Sequence, residues 1–212
     1  MPQRQLSSSD ALARDIVRGL YEGRFSAGQR LVEPDLMARY AVSRSTVREA
    51  IKKLTAQGIA ESHLNRGARI RELTRTDAEN ILLIIEQLIG LAARQAAEHI
   101  DAPGNRALFQ EVYTPLLAPP QDLGRFEYAR LRNRFHRTMA RIGGNRELAD
   151  ILSSMNAHML GHKLDVPRAE RQASYQRIIT AILNKDSETA ETQARAHVRR
   201  SKDMLDSIFP KS

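Results

Sequence analysis

The sequence predicts a mainly α-helical protein of two domains, and three observations carry that expectation. Apolar residues recur at helical spacing along nearly the whole chain. One stretch near residues 59–73 departs from that rhythm, with two strand-like runs around a tight turn. Positive charge is concentrated in the first third: residues 1–75 hold 14 Lys/Arg against 8 Asp/Glu, whereas residues 76–212 hold 19 against 17.

Composition narrows the classes. A chain of 212 residues with 42% hydrophobic content can bury a substantial core. With no cysteine, disulfides, thiolate zinc sites and cysteine nucleophiles are excluded, and a cytoplasmic location is compatible. The first residues contain no apolar run of signal-peptide length. The longest apolar stretch, Ile81 to Ala93, is broken by Glu86 and Gln87 and falls short of the ~20 residues that span a bilayer, so it reads as a buried core helix and not a membrane anchor. A net charge of +8 and a pI near 10.2 point to a polyanionic partner.

In the first third, Ala13, Ile16, Val17 and Leu20 define a helix that follows Ser9 as cap and ends near Gly23. A turn through Arg24–Leu31 leads to a short helix, Val32–Tyr40, with Leu36 and Met37 facing inward. Ser43 is a strong N-cap for the next helix, in which Val47, Ala50, Ile51 and Leu54 repeat at i, i+3, i+4 and i+7 until Gly58. Ile59–Leu64 and Ala68–Leu73, joined by Asn65-Arg66-Gly67, read as a hairpin. Three helices and a hairpin in this order describe a winged helix-turn-helix over residues 8–73. Residues 74–76 read as a linker.

From residue 77 to 212 the pattern is helical, with breaks near 101–104, 118–120, 143–145, 165–167 and 184–186. These predict an all-α antiparallel bundle of about six helices. Its inward faces would include Ile84, Leu88 and Leu91; Leu131, Phe135 and Met139; and Ile178, Ile179 and Ile182.

The helix after Ser43 is the expected DNA-reading element. Arg44 and Arg48 lie four residues apart, on the face away from Val47, Ile51 and Leu54, close to a helix N-terminus whose dipole and free N–H groups favour anions. An arginine fork suits guanine O6/N7 or phosphate. Ser45 and Thr46 add hydroxyls, Arg30 suits a phosphate, and Arg66 with Gly67 at the hairpin tip would reach the minor groove or backbone. Non-specific nucleic-acid binding is the competing reading. It usually relies on aromatic platforms or basic tails, whereas this chain is 5% aromatic and has no such tail.

The segments Arg30-Leu31, Glu33, Leu36 and Ala38, and above all Val42-Ser-Arg-Ser-Thr-Val-Arg-Glu-Ala50 with Leu54, resemble the GntR regulators. The helical remainder resembles the FCD domain of that family's FadR-like branch. The resemblance places Arg30, Arg44, Thr46, Arg48 and Gly67 at operator-contacting positions, with Ser45-Thr46 in place of the common Thr-Pro. It implies a transcriptional regulator, a repressor, that binds a near-palindromic double-stranded operator as a homodimer and is modulated by a small effector in the bundle.

Many FCD domains hold a divalent metal on one Asp and three His. The resemblance places those positions at Arg132, His136, Tyr175 and His197, so the carboxylate is replaced by a cation. This implies no metal cofactor and an effector site suited to an anion such as a carboxylate. Ile85 stands where the family's pocket commonly has arginine. A metal-responsive alternative uses a rearranged set: His158 and His162 at i, i+4, joined by His136 and His197. An enzyme is not expected, since no nucleophile elbow, phosphate-binding glycine loop or HExxH motif is present.

Overall fold

The computed structural model describes residues 7–63, 67–154 and 167–209. It divides into two compact units, Met1–Leu73 and Thr74–Ser212.

The first unit begins with α1 (Ser8–Tyr21), capped by Ser7 rather than Ser9: the Ser7 hydroxyl accepts from the Asp10 N–H at 3.2 Å. Leu12, Ile16, Val17 and Leu20 form its buried stripe. The expected turn contains a short strand, β1 (Arg30–Leu31), before α2 (Glu33–Tyr40) and α3 (Arg44–Ala56). Strands β2 (Ala60–His63) and β3 (Gly67–Ile70) follow. The sheet order is β1-β3-β2, antiparallel throughout, with Leu31 opposite Ala68 and Ala60 opposite Ile70. The expected hairpin is therefore part of a three-stranded sheet. Two residues are too few to announce a strand by alternation; β1 is held by Gly28 N–H to Ile70 C=O (3.0 Å) and Ile70 N–H to Gln29 C=O (2.8 Å).

Polar ties fix the helices. Arg24 donates twin bonds to Asp15 at 3.0 and 3.1 Å, and the Tyr40 hydroxyl donates to the same carboxylate at 2.7 Å, joining α1, the following turn and α2. The hydrogen bond from Arg24 is the main reason that the Asp15 carboxyl titrates below the usual range. Lys53 of α3 pairs with Asp10 of α1.

In the second unit, Thr74 and Asp77 form a capping box: the Thr74 hydroxyl accepts from Asp77 N–H at 3.1 Å and the Asp77 carboxylate from Thr74 N–H at 3.0 Å. Residues 74–76, read from sequence as a linker, are thus the cap and first turn of α4 (Arg75–His99). After it come α5 (Asn105–Leu117), α6 (Arg125–Ile142), α7 (Arg146–Ser154), α8 (Arg168–Leu183), α9 (Ser187–Asp203) and the single turn α10 (Leu205–Ile208). That is seven helices among the described residues, one more than the breaks suggested, because α10 follows α9 without Gly or Pro.

Long α4 packs chiefly on α9, and Gly90 at the seam, where an added Cβ would stand 2.6 Å from Arg195 Cγ, allows the close approach. The expected inward face of α4 is displaced. Leu82, Ile85 and Ile89 are buried, whereas Ile84 and Leu91 are exposed and Leu88 is half-buried. Nearly every position of this stretch is apolar, so periodicity alone did not fix its phase. On α6, Phe135 and Met139 are buried as expected and Leu131 is half-buried. Phe109, Phe135 and Tyr175 meet at the centre, with ring centroids 5.6 and 5.5 Å apart in sequence. Among the described residues, no helix is long and apolar enough to cross a membrane.

Candidate functional site

Two sites emerge, one in each unit. In the first, the chain turns from α2 into α3 through Ala41 in the left-handed region (φ 50°), and its N–H bonds to Met37 C=O. Ser43 then caps α3, accepting from Thr46 N–H at 3.2 Å, and its hydroxyl lies 2.8 Å from Ser45 Oγ and 2.9 Å from Thr46 Oγ1. Because Val47, Ala50, Ile51 and Leu54 are buried, Arg44, Ser45 and Arg48 are exposed near the helix start, with Thr46 half-buried beside them.

The first turn of α3 holds no acidic residue, so its dipole is open to an external anion. The nearby negative charge comes from α2. Glu33 reaches both arginines, with Oε2 at 3.5 Å from Arg44 Nε and Oε1 at 3.1 Å from Arg48 Nε. Sequence reading placed Glu33 in the family pattern but gave it no role; only the fold shows that one carboxylate gathers two guanidinium groups whose other donors stay exposed. Arg30 is exposed on β1, opposite Arg69. Gly67 opens β3 with φ +76°, a conformation that favours glycine, and is exposed. Arg66 lies outside the described residues.

The second site is inside the helical unit. Arg132 and His136 come from α6, Tyr175 from α8 and His197 from α9. The His136 and His197 rings are 6.5 Å apart, His136 and Tyr175 6.2 Å, and Tyr175 and His197 4.5 Å. The three ring residues come together, and Arg132 lies near enough to act electrostatically on each of them. His136 Nε2 and the Tyr175 hydroxyl are buried without a hydrogen-bond partner. Half-buried Arg132 makes no hydrogen bond or ion pair among the described residues. Unsatisfied polar atoms converging on a buried point indicate a missing polar partner.

Electrostatics point the same way. Burial, then the proximity of His197 and of Arg132, holds His136 well below the usual histidine range. Burial and Arg132 push His197 down to about 3. Burial pushes the Tyr175 phenol well up, although Arg132 opposes this. Both imidazoles are neutral at physiological pH and the phenol keeps its proton. A divalent metal does not fit this set, because the available ligands are two imidazoles beside a fixed guanidinium charge. No group of three or more His, Cys, Asp or Glu among the described residues is arranged to hold a metal ion. His158 and His162 lie outside the described residues. Ile85 is buried on α4.

Sequence reading missed two polar neighbours of this site. Ser174 Oγ lies 2.9 Å from His197 Nδ1 and also accepts from Arg200. The spacing of His197 and Arg200, i and i+3 on α9, was the available signal. A further cluster, on the face of α4 and α9, was also unread: Glu86, 6% exposed, accepts from Arg195 Nε at 3.1 Å and Arg199 Nε at 3.0 Å.

Three helices, a three-stranded sheet and a capped helix with exposed arginines at its start define a winged helix-turn-helix protein of the DNA-binding class, joined to a helical domain. The chain belongs to the GntR family of bacterial regulators. Residues 8–70 match the family described as "Bacterial regulatory proteins, gntR family", and residues 79–200 match the FCD domain. It is 30% identical over 194 residues, 86% of this chain and 82% of the relative, to a probable D-xylose utilization operon transcriptional repressor of Paenarthrobacter nicotinovorans. It is 26% identical to the Glc operon transcriptional activator of Escherichia coli, over 94% of this chain and 89% of that protein. In fold it is similar to Escherichia coli McbR/YncC, with TM-score 0.77 at 19% identity over 96% of this chain and 99% of that one. A GntR-type regulator from Rhodococcus sp. RHA1 aligns with TM-score 0.69 at 20% identity, over 96% and 100%. This protein is a DNA-binding transcriptional regulator, and its relatives are regulators rather than enzymes.

Proposed function

We propose that this regulator acts in the cytoplasm as a homodimeric repressor, reading a near-palindromic operator through α3 and released or engaged by an anionic metabolite bound in the helical domain. The exposed Arg44, Ser45 and Arg48 at the start of α3 are the DNA-reading group, with Thr46, Arg30, Arg66 and Gly67 as supporting contacts to the backbone and adjacent groove. A two-fold protein reads two half-sites, so the operator is an inverted repeat.

The observation that carries the effector reading is the unpartnered set in the bundle: Arg132, His136 Nε2 and the Tyr175 hydroxyl. Arg132 supplies the charge, while Tyr175, His136 and His197 supply hydrogen bonds to a small carboxylate or similar anion. Binding energy reaches the operator through a difference in effector affinity between two states of the protein. Sedimentation of the purified chain tests the dimer. Calorimetric titration with a panel of small organic acids tests the pocket: an acid that binds wild type and not Arg132→Ala supports it. A panel with no binding, or a stoichiometric metal in protein purified without a histidine tag, contradicts it.

A further inference from the structure

The buried pair beside His197 fixes more than the position of its ring. Arginine has only donors, so in the contact between Arg200 and Ser174 the serine oxygen accepts. Ser174 is 1% exposed, and among the described residues its hydroxyl has one further partner, His197 Nδ1 at 2.9 Å. A hydroxyl carries one proton, and burial leaves it no water to receive that proton. The serine therefore donates to Nδ1, which must be the unprotonated nitrogen of the ring. A neutral imidazole carries its single proton on the other nitrogen.

We infer that Arg200 and Ser174 hold His197 as the Nε2–H tautomer, so that the ring presents a hydrogen-bond donor, and not a metal-binding lone pair, to the pocket it shares with Arg132 and Tyr175. Ser174 and Arg200 are positioning residues: they act through His197. The desolvation that keeps half-buried His197 neutral is consistent with this, since a protonated ring would not have a tautomer to choose. Three helices then each contribute a donor: the Arg132 guanidinium from α6, the Tyr175 hydroxyl from α8 and His197 Nε2–H from α9. Such a set recognises an acceptor-rich anion and rejects a cation twice, by the charge of Arg132 and by the absence of a free lone pair at Nε2. The functional meaning rests on the anion-pocket reading above; the tautomer itself does not.

The test is a two-bond ¹H–¹⁵N correlation spectrum of the full chain labelled at histidine, recorded without ligand, with the His197 signals assigned by their loss in His197→Gln. One tautomer is expected, with Nδ1 bare and Nε2 protonated. In Arg200→Met the serine hydroxyl is free to turn and accept, so a second, Nδ1-protonated signal is expected. Arg200→Gln, which keeps a donor, retains the single form. Zinc chloride alone leaves the His197 signals in place. A wild-type ring protonated at Nδ1, a mixture of tautomers, or a zinc-shifted Nε2 overturns the inference. Organic acids that fail to bind while the tautomer is as stated would sink the anion reading and leave the relay standing; the reverse pair of results would do the opposite.

Discussion

Arg48→Ala separates DNA reading from folding, and the structure sets both magnitudes. Arg48 is 66% exposed in its side chain and its ion partner Glu33 30%, at 3.1 Å. Exposed pairs of this kind contribute about 0.2–1 kcal/mol to stability. Glu33 keeps its contact with Arg44 at 3.5 Å after the change, and alanine is at least as good a helix former as arginine. The buried anchors Val47, Ala50, Ile51 and Leu54 are untouched. Folding should therefore change by less than about 1 kcal/mol. Loss of a bidentate base contact costs about 1–3 kcal/mol per half-site, or roughly 5- to 150-fold in Kd, and about twice that free energy for a dimer on two half-sites. Fluorescence anisotropy on a labelled operator at fixed salt measures the loss, and thermal unfolding measures the fold. The expected result is weaker binding with relaxed preference at one base pair and an unchanged midpoint. Equal weakening on every duplex, with a shallower salt dependence, marks Arg48 as a phosphate contact instead. Undiminished affinity, or a loss explained by unfolding, would refute the assignment.

Acid should loosen the protein through two desolvated histidines, buried His136 and half-buried His197. Their folded values are depressed, so the unfolded state binds more protons below about pH 6.5, and stability falls with acidification from there toward the folded values, about 3 for His197. Each histidine contributes a slope of up to about 1.4 kcal/mol per pH unit, and denaturant titrations between pH 5 and 7.5 on wild type and His197→Gln should show the shallower slope in the variant. Equal slopes would contradict the neutral, desolvated assignment. Glu86→Gln removes the charge that Arg195 and Arg199 share, and should cost about 1–2 kcal/mol of thermal stability, limited by the exposure of the arginines; an unchanged midpoint would show the pairs to be idle. Gly143 ends α6 against α4, where an added Cβ would stand 2.5 Å from Gln95 Cβ and 3.2 Å from its backbone carbonyl carbon. Gly143→Ala should therefore destabilise by about 1–3 kcal/mol through overpacking, read by thermal unfolding, and a neutral result would mean that the two helices shift apart freely.

Much of the fold was legible because the relevant signals are local. The stripe Val47, Ala50, Ile51 and Leu54, the cap Ser43 and the stop at Gly58 each act within a few residues, and α3 ends within two residues of that stop. Features that depend on tertiary partners were not legible. Strand β1 exists because β3 lies beside it, and the cap of α1 moved to Ser7 because its hydroxyl, not that of Ser9, accepts from Asp10 N–H. On α4 the run Ile81–Leu91 offers apolar side chains on almost every side, so which of them turned inward was decided by α6, α8 and α9. At the candidate sites, helix register and residue type singled out Arg44 and Arg48, and the family resemblance singled out Arg132, His136, Tyr175 and His197. What sequence could not supply was the company they keep: Glu33 between two arginines, and Ser174 between Arg200 and His197. Both are contacts between different helices; the i, i+3 spacing of His197 and Arg200 hinted that those two share a face, but nothing local pointed to Glu33 or Ser174 as the partner.

The most direct test of the DNA-reading account is selection of bound duplexes from a random pool at physiological salt, run in parallel on wild type and Arg48→Ala. The account predicts that wild type enriches one short inverted repeat and that the variant loses preference at matching positions in both half-sites. Recovery of DNA with no enriched sequence, or a repeat whose preferences the variant leaves intact, would contradict the claim that α3 reads the operator through this arginine.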